Sequence, residues 1–145
     1  MKSSDVTSLA SHLLVDAWPV MEWIQQKEPA ARAFAALIEA AIRGETKLSM
    51  SRINHGEVVY LIRKNFPTKA AQALSEIRDL PIDLLSVSDQ LIDAAVDLKS
   101  VYAISFADAF AVAHAMQLAL PLITGDRDLL PLRDAGLLQL HWLGA

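Results

Sequence analysis

The sequence predicts an α/β protein, a three-layer sandwich in which helices cover both faces of a central, mainly parallel sheet. Short apolar segments alternate along the chain with longer segments whose apolar residues recur at helical spacing. The connections between them span only a few residues, which favours one compact unit. Strands that are separated by helices pair in parallel through right-handed crossovers, so the sheet is expected to be covered on both sides.

Composition narrows the class of protein further. Of 145 residues, 53% are apolar and 21% are charged, which is typical of a globular domain; we expect a leader over residues 1–10 and a single domain over residues 11–145. The absence of cysteine excludes disulfides and thiolate metal sites. A net charge of −4 is unlike a tight, non-specific nucleic-acid binder. No signal-peptide pattern and no membrane-length apolar run is present, so we expect a cytoplasmic protein without a membrane anchor.

The first part of the chain opens on a short apolar strand, Leu13 to Val15, with Asp16 at its C-terminal tip. Gly44 is placed to end a long helix. The remaining elements predicted here are a helix with Pro19 in its first turn that reaches Gln26, a helix over Ala30–Arg43 and a strand over Lys47–Met50.

The middle of the chain repeats the pattern. Asn54 and Glu57 approximate a capping box in front of a helix that runs to Pro67. The elements expected after it are a helix capped by Thr68 that ends before Pro81, a strand over Ile82–Val87 and a helix capped by Ser88 that reaches Tyr102.

The last part contains one more helix and two strands. Ser105, with Asp108 three residues later, caps an apolar helix that closes near Leu120. Three elements are expected to follow: a buried strand over Leu122–Thr124 ending at Gly125–Asp128, a helical turn around Leu129–Leu132 and a final strand over Leu137–Leu143.

Five acids fall where a strand ends or a helix begins: Asp16, Glu57, Asp108, Asp126 and Asp128. In a parallel sheet all of these positions lie at one edge, where α/β proteins build their sites. Converging carboxylates repel one another, and few basic residues lie close by in the sequence. Hard divalent cations such as Mg²⁺ or Mn²⁺ relieve this repulsion and assist hydrolysis, so the pattern indicates metal-assisted hydrolysis of a phosphodiester.

A purely structural interpretation of the same acids stays open. Acids in the first turn of a helix are stabilised by the helix dipole and by capping, which could explain Glu57 and Asp108. Asp126 and Asp128 could cap the turn that follows them. Asp16 could be a loop residue that happens to follow a strand.

The ordered motifs also resemble a known family. The series LLVDA, N-x-x-E, S-x-A-D-A-F and L-I-T-G-D-R-D is similar to that of PIN domains, and in particular to VapC toxins of bacterial toxin–antitoxin pairs. The resemblance implies a metal-dependent endoribonuclease that acts on RNA, with Mg²⁺ or Mn²⁺ as cofactor. It further implies a homodimer and a cognate antitoxin protein. The residues that it implies for the site are the quartet Asp16, Glu57, Asp108 and Asp126, the auxiliary acid Asp128, and Asn54 and Thr124 as groups that orient ligands or water.

Other functions remain as rivals. A PIN-like fold could be a catalytically idle binding module that meets protein partners through a surface with Trp18 and Trp23. A dehalogenase-type phosphatase would need a second Asp two residues after Asp16, where Trp18 stands. A receiver domain is also disfavoured, because its acidic pair and lysine have no matching positions.

Overall fold

The computed structural model describes residues 9–145, and it confirms the predicted α/β sandwich. A sheet of five parallel strands forms its middle layer, in the order β3-β2-β1-β4-β5. The strands are β1 (His12–Val15), β2 (Lys47–Ser51), β3 (Ile82–Leu85), β4 (Leu122–Thr124) and β5 (Leu140–Trp142).

Seven α-helices occur in the described residues and form the two outer layers. They are α1 (Ala17–Ile24), α2 (Ala30–Ile42), α3 (Arg52–Asn65), α4 (Ala70–Arg78), α5 (Asp89–Val101), α6 (Phe106–Leu118) and α7 (Leu130–Asp134). Short 3₁₀ turns precede α4 and α7.

The alternation of side chains along β1 divides the core into two apolar layers. Leu13 and Val15 pack with α1 to α4 on one face of the sheet, while Leu14 packs with α5 to α7 on the other. Successive residues of a strand point to opposite faces, so a strand buried on both sides needs a continuous apolar run. This is why the short segment Leu13–Val15 could be recognised as a central strand.

The order of the strands creates a reversal point beside β1. The chain moves outward from β1 through β2 to β3, then returns to lay β4 against the other side of β1. Val15 pairs with Ile123, so Asp16 and the end of β4 emerge side by side. A crevice forms at such a reversal because the helices on either side of it pack on opposite faces of the sheet.

Several predicted boundaries were wrong. Helix α3 begins at Arg52, because the Ser51 hydroxyl accepts a hydrogen bond from the amide of Ile53 and so caps it; Asn54 and Glu57 lie inside the helix rather than forming its capping box. Thr68 is part of a 3₁₀ turn and caps nothing with its side chain. The third and fifth strands are shorter than expected, because pairing with neighbours ends at Leu85 and begins at Leu140.

The predicted leader lies mostly outside the described residues. Its last two residues, Leu9 and Ala10, are described and pack against the apolar layer of α1 to α4. The carbonyl oxygen of Ala10 accepts a hydrogen bond from the Thr46 hydroxyl at 2.7 Å. These two residues therefore belong to the folded domain.

No single helix in residues 9–145 is both long enough and apolar enough to span a membrane. Helices α5 and α6 reach that length and apolar content only as a pair, and a bend of 119° separates them.

Candidate active site

Asp16 lies at the tip of β1 and is 1% exposed. Its Oδ1 accepts a hydrogen bond from the amide of Trp18 at 2.9 Å, which makes it the N-cap of α1. Its Oδ2 is buried and meets no donor in good hydrogen-bond geometry, although the Thr124 hydroxyl lies close enough to act on the pKa of the carboxylate. Burial raises the pKa of Asp16 well above its usual range, the Thr124 hydroxyl and the Trp18 amide offset this only in part, and the charge of Asp108 adds to the rise.

Asn54 and Glu57 enter the site from the first turns of α3. Asn54 is fully buried, and its side-chain amide donates to the carbonyl oxygen of Ala107 at 3.0 Å, which ties α3 to the start of α6. Its Oδ1 and the Oε1 of Glu57 are buried without partners. Burial raises the pKa of Glu57, the Asn54 side chain lowers it in part, and Asp126 raises it further.

Asp108 projects from the first turn of α6. The Ser105 hydroxyl accepts a hydrogen bond from the amide of Asp108 at 3.1 Å, as the sequence predicted. Burial, followed by the charge of Asp126 and that of Glu57, raises the pKa of Asp108 to about 7. A helix N-terminus would by itself lower this pKa, so the neighbouring acids and burial outweigh the dipole.

Asp126 follows β4 directly. Its amide donates to the hydroxyl of the buried Thr124 at 3.1 Å, and its Oδ1 accepts from the amide of Asp128 at 2.9 Å. Asp126 thus caps the turn after β4, as the structural interpretation allowed, while its charge also acts on Asp16, Glu57 and Asp108. Asp128 is exposed at the start of that turn.

The structure therefore brings the four acids of the predicted quartet within electrostatic reach of one another. Ion pairs in the described residues join other groups: Arg43 with Glu45, Lys47 with Asp83, and Arg133 with Asp134. Buried carboxylates that face like charges need a cation or a proton.

The donor set of this edge suits a hard divalent cation. Three buried oxygens lack partners, two of them from carboxylates and one from a side-chain amide: Asp16 Oδ2, Glu57 Oε1 and Asn54 Oδ1. Oxygen ligands of this kind are those that Mg²⁺ and Mn²⁺ prefer. No three His, Asp or Glu side chains within residues 9–145 are arranged to hold an ion as they stand.

Trp18 lies at the same edge, which the sequence had not indicated. An added Cβ at Gly125 would overlap the six-membered ring of Trp18, so the indole lies directly on the backbone between Thr124 and Asp126. The sequence distinguishes Trp18 only as part of a surface, shared with Trp23, through which a binding module would meet protein partners. The sequence gives one indication that Trp18 lies near the acids, since it follows Asp16 by two residues.

Comparisons with known proteins agree with this geometry. The model of the PIN domain family matches residues 13–134. No curated protein sequence matches the chain.

Solved structures of several toxin–antitoxin proteins share the fold. The sarcin–ricin-loop-cleaving toxin VapC20 of Mycobacterium tuberculosis is similar at 16% identity and a TM-score of 0.66, covering 83% of this chain and 94% of that one. VapBC2 of Rickettsia felis, bound to a promoter DNA fragment, has 12% identity and a TM-score of 0.67 over 90% and 97%. VapBC-1 of nontypeable Haemophilus influenzae has 16% identity and a TM-score of 0.62 over 91% and 98%. With a family match that spans most of the chain and all four acids at the carboxyl edge of the parallel sheet, this protein belongs to the PIN domain family.

Proposed function

We propose that the protein is a metal-dependent endoribonuclease and the toxin of a toxin–antitoxin pair. The observation that carries the proposal is the pair of unpartnered, buried carboxylate oxygens on Asp16 and Glu57, whose pKa values burial and the charges of neighbouring acids raise. Such an arrangement destabilises a fold unless a ligand uses it. Family membership supports the choice of nuclease, since PIN domains as a family are nucleases.

The residues have distinct roles in this proposal. Asp16, Glu57, Asp108 and Asp126 would hold Mg²⁺ or Mn²⁺, with Asp128 as an auxiliary acid at the exposed side. A cation held there supplies Lewis acidity and positive charge for hydrolysis of a phosphodiester. Asn54 fixes the approach of α3 to α6, and Thr124 holds the backbone of Asp126, so both orient the acids.

The proposed substrate and partner follow from the similar proteins. One of them is described as cleaving the sarcin–ricin loop, which is RNA, and others are complexes of toxin with antitoxin. We extend both properties to this chain: an RNA substrate and a cognate antitoxin protein, with the cytoplasm as the compartment in which they meet.

A homodimer is the third part of the proposal. Helices α5 and α6 leave a shallow apolar groove lined by residues that include Leu98, Val101 and Met116. Val101 is 74% exposed and Met116 is 44% exposed. A second copy of the chain would remove this apolar surface from water, and sedimentation of the purified protein measures whether it does.

The experiment that tests the activity is cleavage of a panel of structured RNAs by purified protein without its antitoxin. Reactions contain Mn²⁺, Mg²⁺ or EDTA, and Asp108→Asn is compared with Asp93→Asn, the same change on the exposed face of α5. We expect cleavage that needs the metal, disappears in Asp108→Asn and persists in Asp93→Asn.

Two outcomes would contradict the proposal. Cleavage by Asp108→Asn at the rate of the wild type would remove the acids from the chemistry. Failure to cleave, together with a melting temperature that Mn²⁺ leaves unchanged, would instead favour the catalytically idle binding module.

A further inference from the structure

Trp18 differs from a core tryptophan in what it packs against. The side chain of Trp23, five residues later on α1, packs against the apolar layer of α1 to α4, whereas that of Trp18 is part of neither apolar layer. Its ring lies on the backbone of Gly125 and stays partly exposed. The part of the ring that stays exposed lies at the edge that holds Asp16 and Asp126, where a ligand of the acids could also contact it.

The fold holds both the backbone that carries Trp18 and the backbone on which its ring lies. Its own amide donates to Asp16, and the following residue is the buried Pro19, so the backbone of Trp18 is fixed at the first turn of α1. Gly125, on which the ring lies, is supported from behind by the chain after β5. An added Cβ on Gly144 would be 3.0 Å from the carbonyl oxygen of Gly125.

Charge around the acids leaves little electrostatic attraction for a polyanion. The protein has a net charge of −4, and the cations nearest in sequence to the acids are the exposed Arg52 and Arg127. Nucleic-acid binders that cannot rely on phosphate contacts can gain affinity from base stacking on aromatic rings, which is tolerant of sequence and requires unpaired bases.

We propose that the indole of Trp18 is a stacking platform for an unpaired nucleobase next to the cleaved phosphodiester, and so selects single-stranded or looped RNA. This rests on the proposed function, since it assumes that the acid edge acts on RNA. It assigns Trp18 a role in substrate binding rather than in the chemical step. A protein partner that covers the same ring is the competing occupant.

The first test uses kinetics on a 12-nucleotide single-stranded RNA that spans a bond cut by the wild-type protein. Removing one stacked base costs about 1–3 kcal/mol, so Trp18→Leu should lower kcat/KM by about 5- to 150-fold through KM, while Trp18→Phe keeps most of the affinity. Replacing the nucleotide beside the cut bond with an abasic one should lower kcat/KM of the wild type by the same factor. The same replacement should leave kcat/KM of Trp18→Leu unchanged. Equal KM values for the wild type and Trp18→Leu, or additive losses in the protein and the RNA, would overturn the proposal.

The second test does not depend on cleavage. The chain has three tryptophans, so Trp23→Phe combined with Trp142→Phe leaves Trp18 as the only indole emitter. Adding the same RNA, or an oligouridine of equal length if the wild type cuts none of the panel, should quench this emission, and the quenching should persist when salt rises from about 50 to 200 mM. Quenching would uphold the stacking whether or not the RNA is cut, so this outcome is separate from that of the nuclease test. Unchanged emission would reject the stacking, including the case in which a protein partner covers the ring.

Discussion

Phe34 and Asp16 are buried to the same degree, at 0% and 1% exposure, yet their surroundings are opposite. Phe34 lies among apolar side chains from α1 to α4 and the sheet. Asp16 lies at the tip of β1, with one oxygen unpartnered and other acids acting on it. The comparison shows that burial stabilises only where each buried group finds its complement, and that the carboxyl edge leaves carboxylate oxygens without one.

The largest effect is expected in the apolar layer. Phe34→Ala should lower the free energy of unfolding by about 3–5 kcal/mol, because a cavity replaces a fully buried ring. Urea denaturation followed by circular dichroism measures this. A loss below about 1 kcal/mol would mean that the layer collapses around the gap, and the contrast with the acid edge would then weaken.

Metal binding should give the next largest effect and should act at the acid edge. Mn²⁺ at about 100 times its dissociation constant should raise the free energy of unfolding of the wild type by about 2.7 kcal/mol, because the folded state alone presents the acids together. Asp93→Asn should respond equally and Asp108→Asn much less. The measurement is the melting temperature against metal concentration, and equal responses in all three proteins would place the ion elsewhere.

Removing one acid should stabilise the metal-free protein. In EDTA at pH 8, Asp108→Asn should be about 1–3 kcal/mol more stable than the wild type, after allowance for the partial exposure of Asp108. Asp93→Asn is the matched control and should stay within about 0.5 kcal/mol of the wild type.

The stability of Asp108→Asn relative to the wild type should depend on pH, and the sign of this dependence follows from the pKa of Asp108. The pKa of Asp108 is about 7 in the folded state and near 3.8 when unfolded, so the carboxyl stabilises the fold below pH 3.8 and loses that contribution as the pH rises through 7. The advantage of Asp108→Asn should therefore be full above pH 7 and vanish near pH 4. An advantage that is constant across this range would show that the charge of Asp108 is not its cause.

The smallest effect is expected at a helix cap outside the site. The Ser88 hydroxyl accepts from the amide of Leu91 at 3.1 Å and caps α5. Ser88→Ala should cost about 0.5–1 kcal/mol in urea denaturation and leave RNA cleavage unchanged. A loss of cleavage would indicate that α5 contributes to the site. The apolar layers and the acid-bearing carboxyl edge could then no longer be treated as separate regions.

Patterns within a few residues of one another were enough to predict most helices and strands. The apolar run before Asp16 located β1, and the hydroxyls of Ser88 and Ser105 marked the starts of α5 and α6, because each depends on residues within a few positions of one another. The start of α3 was misplaced because two capping patterns overlap there, and the Ser51 hydroxyl is the one that caps.

Longer-range features could not be predicted in the same way. Asn54 is buried and donates a hydrogen bond to Ala107, and the ring of Trp18 packs on Gly125. In both cases the partner lies far along the chain. Nothing in the local sequence distinguishes an asparagine or a tryptophan with such a partner from one without it. The resemblance to PIN domains identified the acids but gave no reason to single out Trp18.

The strand order has a consequence for how the protein is made. Asp16 is synthesised before β2 and β3, but β4, which lies beside β1 and leads into Asp126, is synthesised only after both of them. Two strands so distant in sequence pair late, because closing a long loop precedes any gain from the contact. A nascent or prematurely terminated chain that ends before β4 therefore lacks the complete set of acids, and the site can assemble only after β4 and Asp126 have been synthesised.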